Sequence, residues 1–423
     1  MDRDKNKKRN LNNGENNGET QNRKKGKIKE NSKDKNEGRN KGRNNKAYDM
    51  ETGDNNDYIE EKPSVFSIVL KVLLGILAVF ILIVLCYVAY VIISYERIED
   101  NVTLDVISYG DTGNESVTTG EEYTIGTYNV GFGAYTPTYS FFMDGGEYSR
   151  AYSDESATEA ITGAAKLAMT YDPDFMLFEE VDRDATRSWH VNEEDLISDI
   201  FDGYYETFAV NYNSAYLFYP FDEPIGASYS GIALYSKYEI TSSLRRSLPI
   251  STSFSKFLDL DRCYSINRID VDNGKELVIF NVHLSAYGNS DEIREAQVSM
   301  LIEDMNAEIE AGNYVICGGD FNHDLKADES STEECESWAY PFPRSELPDS
   351  LMFAMDNLSE NELDSMTDSC RDTGDAYDPE TTYVVTLDGF IISDNITMTD
   401  YEIVNSGYAY SDHEPVIMKF ILN

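Results

Sequence analysis

The pattern of apolar and polar positions divides the 423-residue chain into three parts. Residues 1–62 hold almost no apolar side chains and are rich in Asn, Lys, Arg, Gly and Glu. Such a segment cannot bury enough surface to offset the entropy of ordering, so we expect a disordered tail. Residues 64–94 are almost wholly apolar, with Lys71 as the only charge. After residue 94, short apolar runs alternate with polar stretches, which indicates a folded body.

The apolar run 64–94 is long enough to span a bilayer core, which needs about 20 apolar residues. The apolar region of a secretory signal is shorter, roughly 7–15 residues, and ends at a small-residue cleavage site. Here Tyr95-Glu96-Arg97 follows the run directly. The positive-inside rule places the basic tail in the cytoplasm and the body outside. We therefore expect a single-pass anchor in the cell membrane.

The body contains the elements of one large domain. Residues 95–121 are short, polar and acidic and predict a stalk, and residues 122–423 are enough for a well-buried core. Apolar positions at helical spacing predict helices over Glu155–Thr170 and Ser290–Ala311. Interleaved strands and helices indicate a mixed α/β domain. The strand-like runs are Tyr123–Val130, Asp174–Phe178, Gly231–Tyr235, Leu277–His283, Tyr314–Cys317, Tyr383–Leu387, Phe390–Ile392 and Pro415–Leu422.

The charge is distributed unevenly between tail and body. The formal net charge is −42. Residues 1–62 hold 17 Lys and Arg against 13 Asp and Glu, whereas the residues after Lys71 hold 17 against 64. So acidic a body argues against a protein that binds DNA by neutralising its phosphates, because such binding requires basic patches. Part of the charge lies in Asp328–Glu336 and Arg371–Glu380, which we predict to be exposed loops.

The five cysteines do not form an obvious framework. Cys86 lies in the apolar run, and Cys317 lies in a predicted strand and should be a buried thiol. The remaining Cys263, Cys335 and Cys370 are odd in number, which is poor support for a set of disulfides. A bridge between Cys335 and Cys370 is left open, and no cysteine spacing resembles a zinc site.

Asp320 and Asn322 follow the predicted strand Tyr314–Cys317, after two glycines that allow a sharp turn. If residues 320–322 are extended, the two side chains point to the same side. One carboxylate and one amide at a strand end suit the orientation of a nucleophile and the binding of a phosphoryl oxygen. Taken alone, the stretch fits an Asx-rich turn equally well.

Polar side chains recur at the ends of other predicted strands, the edge at which the sites of open α/β sheets gather. They are Asn129, Glu179, Glu180, His283, Asp388, Asp412 and His413. Several carboxylates with two His and two Asn, and no Ser-His-Asp spacing, suit a hard cation with oxygen ligands. Mg²⁺ takes one or two protein carboxylates, keeps several waters and leaves room for phosphate oxygens. A His beside a carboxylate suits acid–base catalysis, because the anion raises the pKa of the His.

Three neighbouring side chains are predicted to lie outside this site. Strand alternation directs Glu179 to the face opposite Glu180. The same alternation directs His323 away from Asn322, into a supporting position. His190 is expected to be a packed or exposed loop histidine.

Six motifs in residues 122–423 carry a family resemblance. They read Thr-Tyr-Asn129-Val, Phe-Glu-Glu180-Val-Asp, Asn-Val-His283-Leu, Gly-Gly-Asp320-Phe-Asn322, Leu-Asp388-Gly-Phe and Ser-Asp412-His413-Glu-Pro. In type and order they resemble those of the endonuclease/exonuclease/phosphatase superfamily, the DNase I-like fold. The resemblance implies an α/β four-layer sandwich, in which two mixed β-sheets are flanked by helices. The apolar helix and the disordered tail precede it.

The resemblance also implies a metal site and a nucleophile. Glu180 would hold a divalent ion, helped by Asn129 and Asp412. The ion is expected to be Mg²⁺, with Mn²⁺ or Ca²⁺ as alternatives. Asp320 would orient or deprotonate the attacking water, and Asn322 would hold a phosphoryl oxygen.

The remaining roles implied by the resemblance concern the transition state and the leaving group. His413, paired with Asp388, would stabilise the pentavalent phosphorane-like state. His283 would donate a proton to the leaving group. Arg262 resembles an arginine that contacts the phosphate, although an ordinary surface arginine explains it at least as well.

Together these observations predict a membrane-anchored, extracellular, Mg²⁺-dependent phosphoesterase that hydrolyses phosphate mono- or diesters by in-line attack of water. The substrate is open between nucleic acid, a phospholipid headgroup and a small phosphate ester, and the sparse basic residues favour a smaller one. We expect a monomer. The alternative is a catalytically inactive, tethered binding or scaffold module with the same fold. Loss of catalytic positions would indicate that alternative, and here each position carries the family's residue type.

Overall fold

The computed structural model describes residues 63–95, 97–108, 116–257, 260–285, 291–327 and 339–423. Several predicted features lie outside these residues: the basic tail 1–62, the loop Asp328–Glu336, the helix start at Ser290 and Cys335 of the possible bridge. The chain divides into two units, Met1–Ile68 and Val69–Asn423.

Helix α1, Val65–Ser94, is the one helix in the described part of the chain that is long and apolar enough to cross a membrane. That statement rests on its length and composition alone. Its large apolar side chains between Val69 and Leu85 are exposed. A helix that is apolar on all sides requires an apolar environment around it. The helix therefore agrees with a membrane span, which stays a prediction.

The other helices belong to the body. They are α2 (Asp154–Met169), α3 (Glu193–Ile200), α4 (Asp291–Glu310) and α5 (Glu360–Ser365). Ser153 accepts a hydrogen bond from the backbone N–H of Ser156 and so caps the start of α2. The predicted helices Glu155–Thr170 and Ser290–Ala311 correspond to α2 and α4.

Two seven-stranded sheets and one small two-stranded sheet contain all the strands of the described residues. The strands are β1 (Val102–Thr103), β2 (Ile107–Ser108), β3 (Glu122–Asn129), β4 (Phe175–Ala185), β5 (Tyr205–Asn213), β6 (Ser228–Ser236), β7 (Ser242–Ser247), β8 (Cys263–Asp270), β9 (Glu276–His283), β10 (Tyr314–Asp320), β11 (Leu351–Phe353), β12 (Cys370–Arg371), β13 (Val384–Val385), β14 (Asp388–Ser393), β15 (Ile396–Ile403) and β16 (Val416–Leu422). The first large sheet has the order β1-β7-β8-β9-β10-β14-β11, and the second has the order β15-β16-β3-β4-β6-β5-β2.

Both large sheets are mixed. β9 and β10 are parallel within the first sheet, as are β3 and β4 within the second, and the neighbouring pairs are antiparallel. Such a mixture follows from the alternation of crossover helices with direct strand connections. The carboxyl ends of the parallel pairs are the edge at which α/β sheets place their sites.

Apolar side chains from the facing sides of the two sheets form one continuous core, to which Leu177, Phe280 and Ile316 contribute. Leu301 of α4 packs on the first sheet. On the second sheet, side chains of α2 and α3 such as Ile161 form a separate core with its strands. The layers are therefore helix, sheet, sheet and helices, which confirms the predicted α/β four-layer sandwich.

Part of the predicted stalk 95–121 packs on the body. β1 pairs with β7, and β2 pairs with β5. Arg97 donates a hydrogen bond to the carbonyl of Leu248, and the backbone N–H of Ile98 donates to Asp261. These two-residue strands have no periodic apolar run, which explains why the sequence predicts only a polar connection there.

Candidate active site

The strand register brings the predicted site residues to one edge. Parallel pairing of β9 and β10 places His283 opposite Asp320, and antiparallel pairing of β10 and β14 places Asp388 opposite Asp320. In the second sheet, Asn129 ends β3 opposite Glu179 of β4. Side chains far apart in sequence therefore converge at the carboxyl ends of the parallel strands.

The glycines before Asp320 continue the strand, so the sharp turn predicted at that point is wrong. Gly319 has a φ of 137°, and a Cβ atom there would lie 2.0 Å from the carbonyl oxygen of Val282. Only glycine allows β10 to remain against β9 as far as Asp320. The strand then ends, and Asn322 adopts a left-handed φ of 51°. The extended conformation predicted for residues 320–322 is therefore also wrong.

Asp320 is buried and held by three hydrogen bonds. Its Oδ1 accepts from the backbone N–H of Asn322 at 2.8 Å. Its Oδ2 accepts from the side-chain amides of Asn322 and Asn129, each at 3.1 Å. Burial raises the pKa of Asp320 to about 7, and the carboxylate of Asp388 adds to the increase. A fixed carboxyl that titrates near neutrality has the properties required of a general base.

His413 and Asp388 form a buried ion pair beside Asp320. Nδ1 of His413 lies 2.7 Å from Oδ2 of Asp388, which also accepts a hydrogen bond from Ser369. Burial by itself lowers the pKa of His413, but the Asp388 carboxylate and the Cys370 side chain together outweigh burial, and the pKa is raised well above its ordinary value. His413 is therefore positively charged at neutral pH. Its Nε2 lies 3.9 Å from Oδ2 of Asp320.

His283 lies on the other side of Asp320. Its Nε2 is 3.7 Å from Oδ2 of Asp320 and 3.9 Å from Oε1 of Glu180. Burial lowers the pKa of His283 well below its ordinary value, and the Arg262 guanidinium contributes to the decrease. His283 is therefore a neutral imidazole in this structure, positioned as a hydrogen-bonding group.

Arg262 is buried, which removes the alternative of an ordinary surface arginine. Its side chain is 7% exposed. Within the described ranges, its Nε and Nη1 donate to no acceptor. A buried guanidinium without a partner is costly, and an anion relieves that cost. The charge also lowers the pKa of both His283 and Asp320, so the guanidinium lies close to them.

Glu180 and Asp412 provide carboxylates at the open side of the site. Glu180 sits in a bulge of β4 with a φ of 55°, which moves its side chain out of the regular alternation. Burial raises the pKa of Asp412 to about 6, and Glu180 adds to the increase, while His413 and Arg371 oppose it. The two carboxylates therefore repel each other, and a cation would relieve that repulsion. Asn129 supplies a further oxygen, which accepts from the backbone N–H of Gly131.

Oxygen donors of this kind fit a hard divalent ion. The described residues contain two groups of side chains whose potential ligand atoms all lie within 4.8 Å of one another inside the group. One group is Asp320, Asp388 and His413, and the other is Cys370, Asp412 and His413. In the first group the His413–Asp388 hydrogen bond already explains the proximity. Glu180 belongs to neither group, so an ion that it shares with Asp412 would complete its shell with water, as Mg²⁺ typically does.

Glu179 does not point away from the site, and the prediction from strand alternation is wrong. It is fully buried, and both its oxygens accept from Oγ1 of Thr127 at 3.2 Å. Burial raises its pKa well above the ordinary value, and Asp388 and Asp320 contribute. Glu179 therefore lies beneath the site, and its raised pKa favours the protonated form. Glu179 keeps the regular register with Asn129 and so shares its face, whereas the bulge between Phe178 and Val181 moves Glu180 out of the alternation.

The two other histidines stay outside the site. His323 is buried, and its Nδ1 lies 2.6 Å from the carbonyl oxygen of Phe321. His190 is exposed and pairs with Asp184. Each arrangement gives the side chain a local partner, in agreement with the sequence prediction.

Two arginines beside Glu180 and Asp412, the candidate metal ligands, were missed by the sequence analysis. Arg187 donates to both oxygens of Asp182, and its Nη1 lies 4.0 Å from Oε2 of Glu180. Arg371 falls in a predicted exposed loop, but it is buried and donates to the carbonyls of Tyr135 and Thr136. The exposed-loop prediction is therefore wrong at Arg371. No periodicity or spacing marks either arginine, because their partners come from distant segments.

Comparison with known proteins agrees with this geometry. Residues 126–385 match the sequence model of the Endonuclease/Exonuclease/phosphatase family. The chain belongs to this family. Its members are generally hydrolases, phosphoesterases and nucleases, and they typically use divalent metal ions. No curated protein matches the chain.

Solved structures similar to the chain include the following three. The endonuclease/exonuclease/phosphatase from Beutenbergia cavernae is 15% identical, with a TM-score of 0.48, covering 71% of this chain and 72% of its own. The human Nocturnin catalytic domain is 18% identical, with a TM-score of 0.44, and the match covers 76% of this chain and 98% of that domain. TDP2 from C. elegans is 17% identical, with a TM-score of 0.44, and the match covers 72% of this chain and 76% of the TDP2 chain.

Proposed function

We propose that the protein is a membrane-anchored phosphoesterase that hydrolyses phosphate mono- or diesters outside the cell with Mg²⁺. The observation that supports this most strongly is the placement of Asp320. A buried carboxyl that titrates near neutrality is flanked by a neutral His283 and a charged His413. Carboxylates for a cation lie alongside, at Glu180 and Asp412.

Each residue of the site then has a separate role in hydrolysis. Asp320, fixed by two amides, orients a water molecule and accepts its proton. Mg²⁺ bound by Glu180, Asp412 and Asn129 would supply charge stabilisation to a phosphoryl oxygen. The His413 imidazolium, held by Asp388, donates to the charge that develops in the transition state. Preorganised donors in a buried site are effective because they need no reorganisation during the reaction.

His283 and Asn322 complete the site. Nε2 of His283 faces the carboxylates of Asp320 and Glu180, where the neutral imidazole can donate a hydrogen bond to the leaving oxygen. Proton transfer to the leaving group, which the family resemblance implies for His283, would require the imidazole to be charged in the substrate complex. Asn322 uses its amide on Asp320 and on the carbonyl of Leu284. Both N–H groups of this amide are thereby used, so we assign Asn322 to the orientation of Asp320. The phosphoryl binding that the family resemblance implies would require one of these two hydrogen bonds to be exchanged.

The charge of the flanking segments supports an extracellular position of the catalytic domain. Residues 1–62 have an excess of basic residues over acidic ones, and positively charged flanks stay in the cytoplasm. The acidic body favours a substrate smaller than a nucleic acid, because a polyanion would meet repulsion over most of its length.

Replacing Arg262 with Ala is expected to lower kcat/KM for bis-(p-nitrophenyl) phosphate by about 10- to 100-fold. A charge-assisted hydrogen bond to an anion is worth about 1.5–3 kcal/mol. Arg344→Ala, which removes an arginine that pairs with Asp356 at the surface, is the matched control and should keep normal turnover. Equal activity of the two variants would exclude Arg262 from substrate binding.

The proposal as a whole is tested by hydrolysis of bis-(p-nitrophenyl) phosphate by the full chain in detergent. Turnover is expected with Mg²⁺, should fall to the background rate with excess EDTA, and should return when Mg²⁺ is restored. Turnover that EDTA leaves unchanged would contradict the metal-dependent mechanism. If no divalent ion supports turnover, the inactive binding module becomes the better description.

A further inference from the structure

An exposed aromatic surface lies beside the end of α1. We define it by Phe142, Met143, Phe218, Tyr219 and Phe221. Met143, Tyr219 and Phe221 are 63%, 65% and 85% exposed. The ring of Phe142 contacts that of Tyr219 at 5.8 Å, and Tyr219 contacts Phe221 at 5.9 Å, so the two segments form one surface. Contiguous exposed apolar side chains of this kind mark an interaction site.

The aromatic surface is joined directly to α1. The ring of Tyr87 lies 5.2 Å from that of Phe218. The hydroxyl of Tyr87 donates to the carbonyl of Tyr216, and the backbone N–H of Tyr216 donates to the hydroxyl of Tyr90. Tyrosines near the end of a membrane span are typical of the membrane–water interface. The loop that carries Phe218, Tyr219 and Phe221 is therefore held at the depth of the Tyr87 and Tyr90 side chains.

The chemistry of the surface favours a neutral lipid interface over an anionic one. Its rings are followed at once by Asp222 and Glu223, and the body as a whole is strongly acidic. Anionic lipid would repel such a surface. Aromatic side chains, however, combine an apolar ring with a polar edge and settle at the headgroup level of zwitterionic bilayers.

We propose that the aromatic surface docks on the outer leaflet of the same bilayer that α1 spans, with Tyr219 and Phe221 inserted at headgroup depth. The inference rests on the proposed membrane anchor. It goes further, because a tether alone leaves the orientation of the catalytic domain free, whereas docking fixes one side of the domain against the lipid.

Docking would bring the candidate active site close to the lipid headgroups. Ring contacts of 5.6 Å between Tyr135 and Phe141 and of 5.0 Å between Phe141 and Phe142 connect the aromatic surface to Tyr135. Tyr135 is buried, and a Cβ atom at Gly131 would lie 2.5 Å from its ring and 3.0 Å from Oδ1 of Asp412, so the ring lies near the proposed metal ligand Asp412. The aromatic surface therefore continues to the wall of the site.

The test places a single tryptophan at chosen positions of the full chain. Trp189 and Trp338 are first changed to Phe. The variants Phe221→Trp, Phe80→Trp and Met352→Trp are then each reconstituted in phosphatidylcholine vesicles of two types, one unbrominated and one a mixture of lipids brominated near the headgroup and near the ends of the acyl chains. Phe80 lies within α1 and reports insertion of the helix. Met352 is a matched exposed apolar side chain, 36% exposed, on β11 at the sheet edge opposite β1.

Tryptophan at position 221 is expected to lose a measurable part of its fluorescence in brominated vesicles, because an interfacial apolar side chain reaches the boundary between headgroups and acyl chains. Tryptophan at position 352 should lose almost none. Equal fluorescence of the Phe221→Trp variant in the two vesicle types, with Phe80→Trp quenched, would overturn the docking. If Phe80→Trp is not quenched either, the membrane anchor itself is overturned.

A second readout separates docking from the proposed chemistry. The triple variant Phe218→Ala, Tyr219→Ala and Phe221→Ala should hydrolyse soluble bis-(p-nitrophenyl) phosphate within about two-fold of the wild-type rate, because none of the three hydrogen-bonds a site residue. A quenched Phe221→Trp variant in a chain without turnover would support the docking and refute the phosphoesterase. Turnover of the ester by a chain whose Phe221→Trp variant is not quenched would support the phosphoesterase and refute the docking.

Discussion

Replacing Asp320 with Asn is expected to lower kcat for bis-(p-nitrophenyl) phosphate by about 10³-fold, the scale of a lost general base. The substitution keeps the shape of the side chain but removes the charge that accepts the proton of water. The measurement is the initial rate at saturating Mg²⁺, at a pH well above 7, where Asp320 of the wild type is ionised.

Asp394→Asn is the matched control for this variant. Asp394 is exposed and lies in the turn between β14 and β15. The control should keep normal activity. If Asp320→Asn also retains more than about one tenth of the wild-type rate, general-base catalysis by Asp320 is excluded, since such catalysis contributes at least about 10²-fold.

Replacing His413 with Ala is expected to lower kcat by about 10²- to 10³-fold, the loss seen when a charged or hydrogen-bonding donor to a developing anion is removed. The variant also leaves the buried Asp388 without its cationic partner, which costs about 3–5 kcal/mol of stability. His413→Gln is therefore measured in parallel, since its amide can still donate to Asp388. Both variants are checked for folding by circular dichroism.

His190→Ala is the control for the His413 variants, because His190 is an exposed histidine whose partner is Asp184. It should leave kcat unchanged. Folded His413→Gln protein with the wild-type kcat would show that the imidazolium plays no part in the reaction.

The elements with continuous apolar runs could be predicted from the sequence. The central strands β9, β10 and β16 are buried along most of their length, so each contains a run of at least three consecutive apolar side chains. The strand β7 was missed because it reads Ser-Ser-Leu-Arg-Arg-Ser. Its Arg245 is buried and donates to the carbonyls of Val210 and Asp261. A strand whose inward side chain is an arginine leaves no apolar signature.

Edge strands were missed for a related reason. β15 alternates with several exposed positions, and β1 and β2 have two residues each. Such strands form because their backbone pairs with a neighbouring strand, so their own sequences contain little that predicts a strand.

The composition of the candidate site could be predicted, but its local geometry could not. The motifs identified Asp320, His413 and Glu180, and the register of the strands brings these residues to one edge. The conformations of Asn322 and Glu180 depend on left-handed backbone positions that a period-two pattern does not contain. Glu179 keeps the regular register with Asn129, but the bulge in β4 that brings Glu180 to the same site has no signature in the sequence. The roles of the site residues stay predictions until they are measured.

The most direct test of the central claim is a crystal structure of the full chain grown with Mn²⁺ and inorganic phosphate, with the ion located by its anomalous signal. The account predicts an ion bound by the carboxylates of Glu180 and Asp412, with phosphate between that ion and the side chains of Arg262 and His413. An anomalous peak elsewhere, with no ion within coordination distance of Glu180, would contradict it.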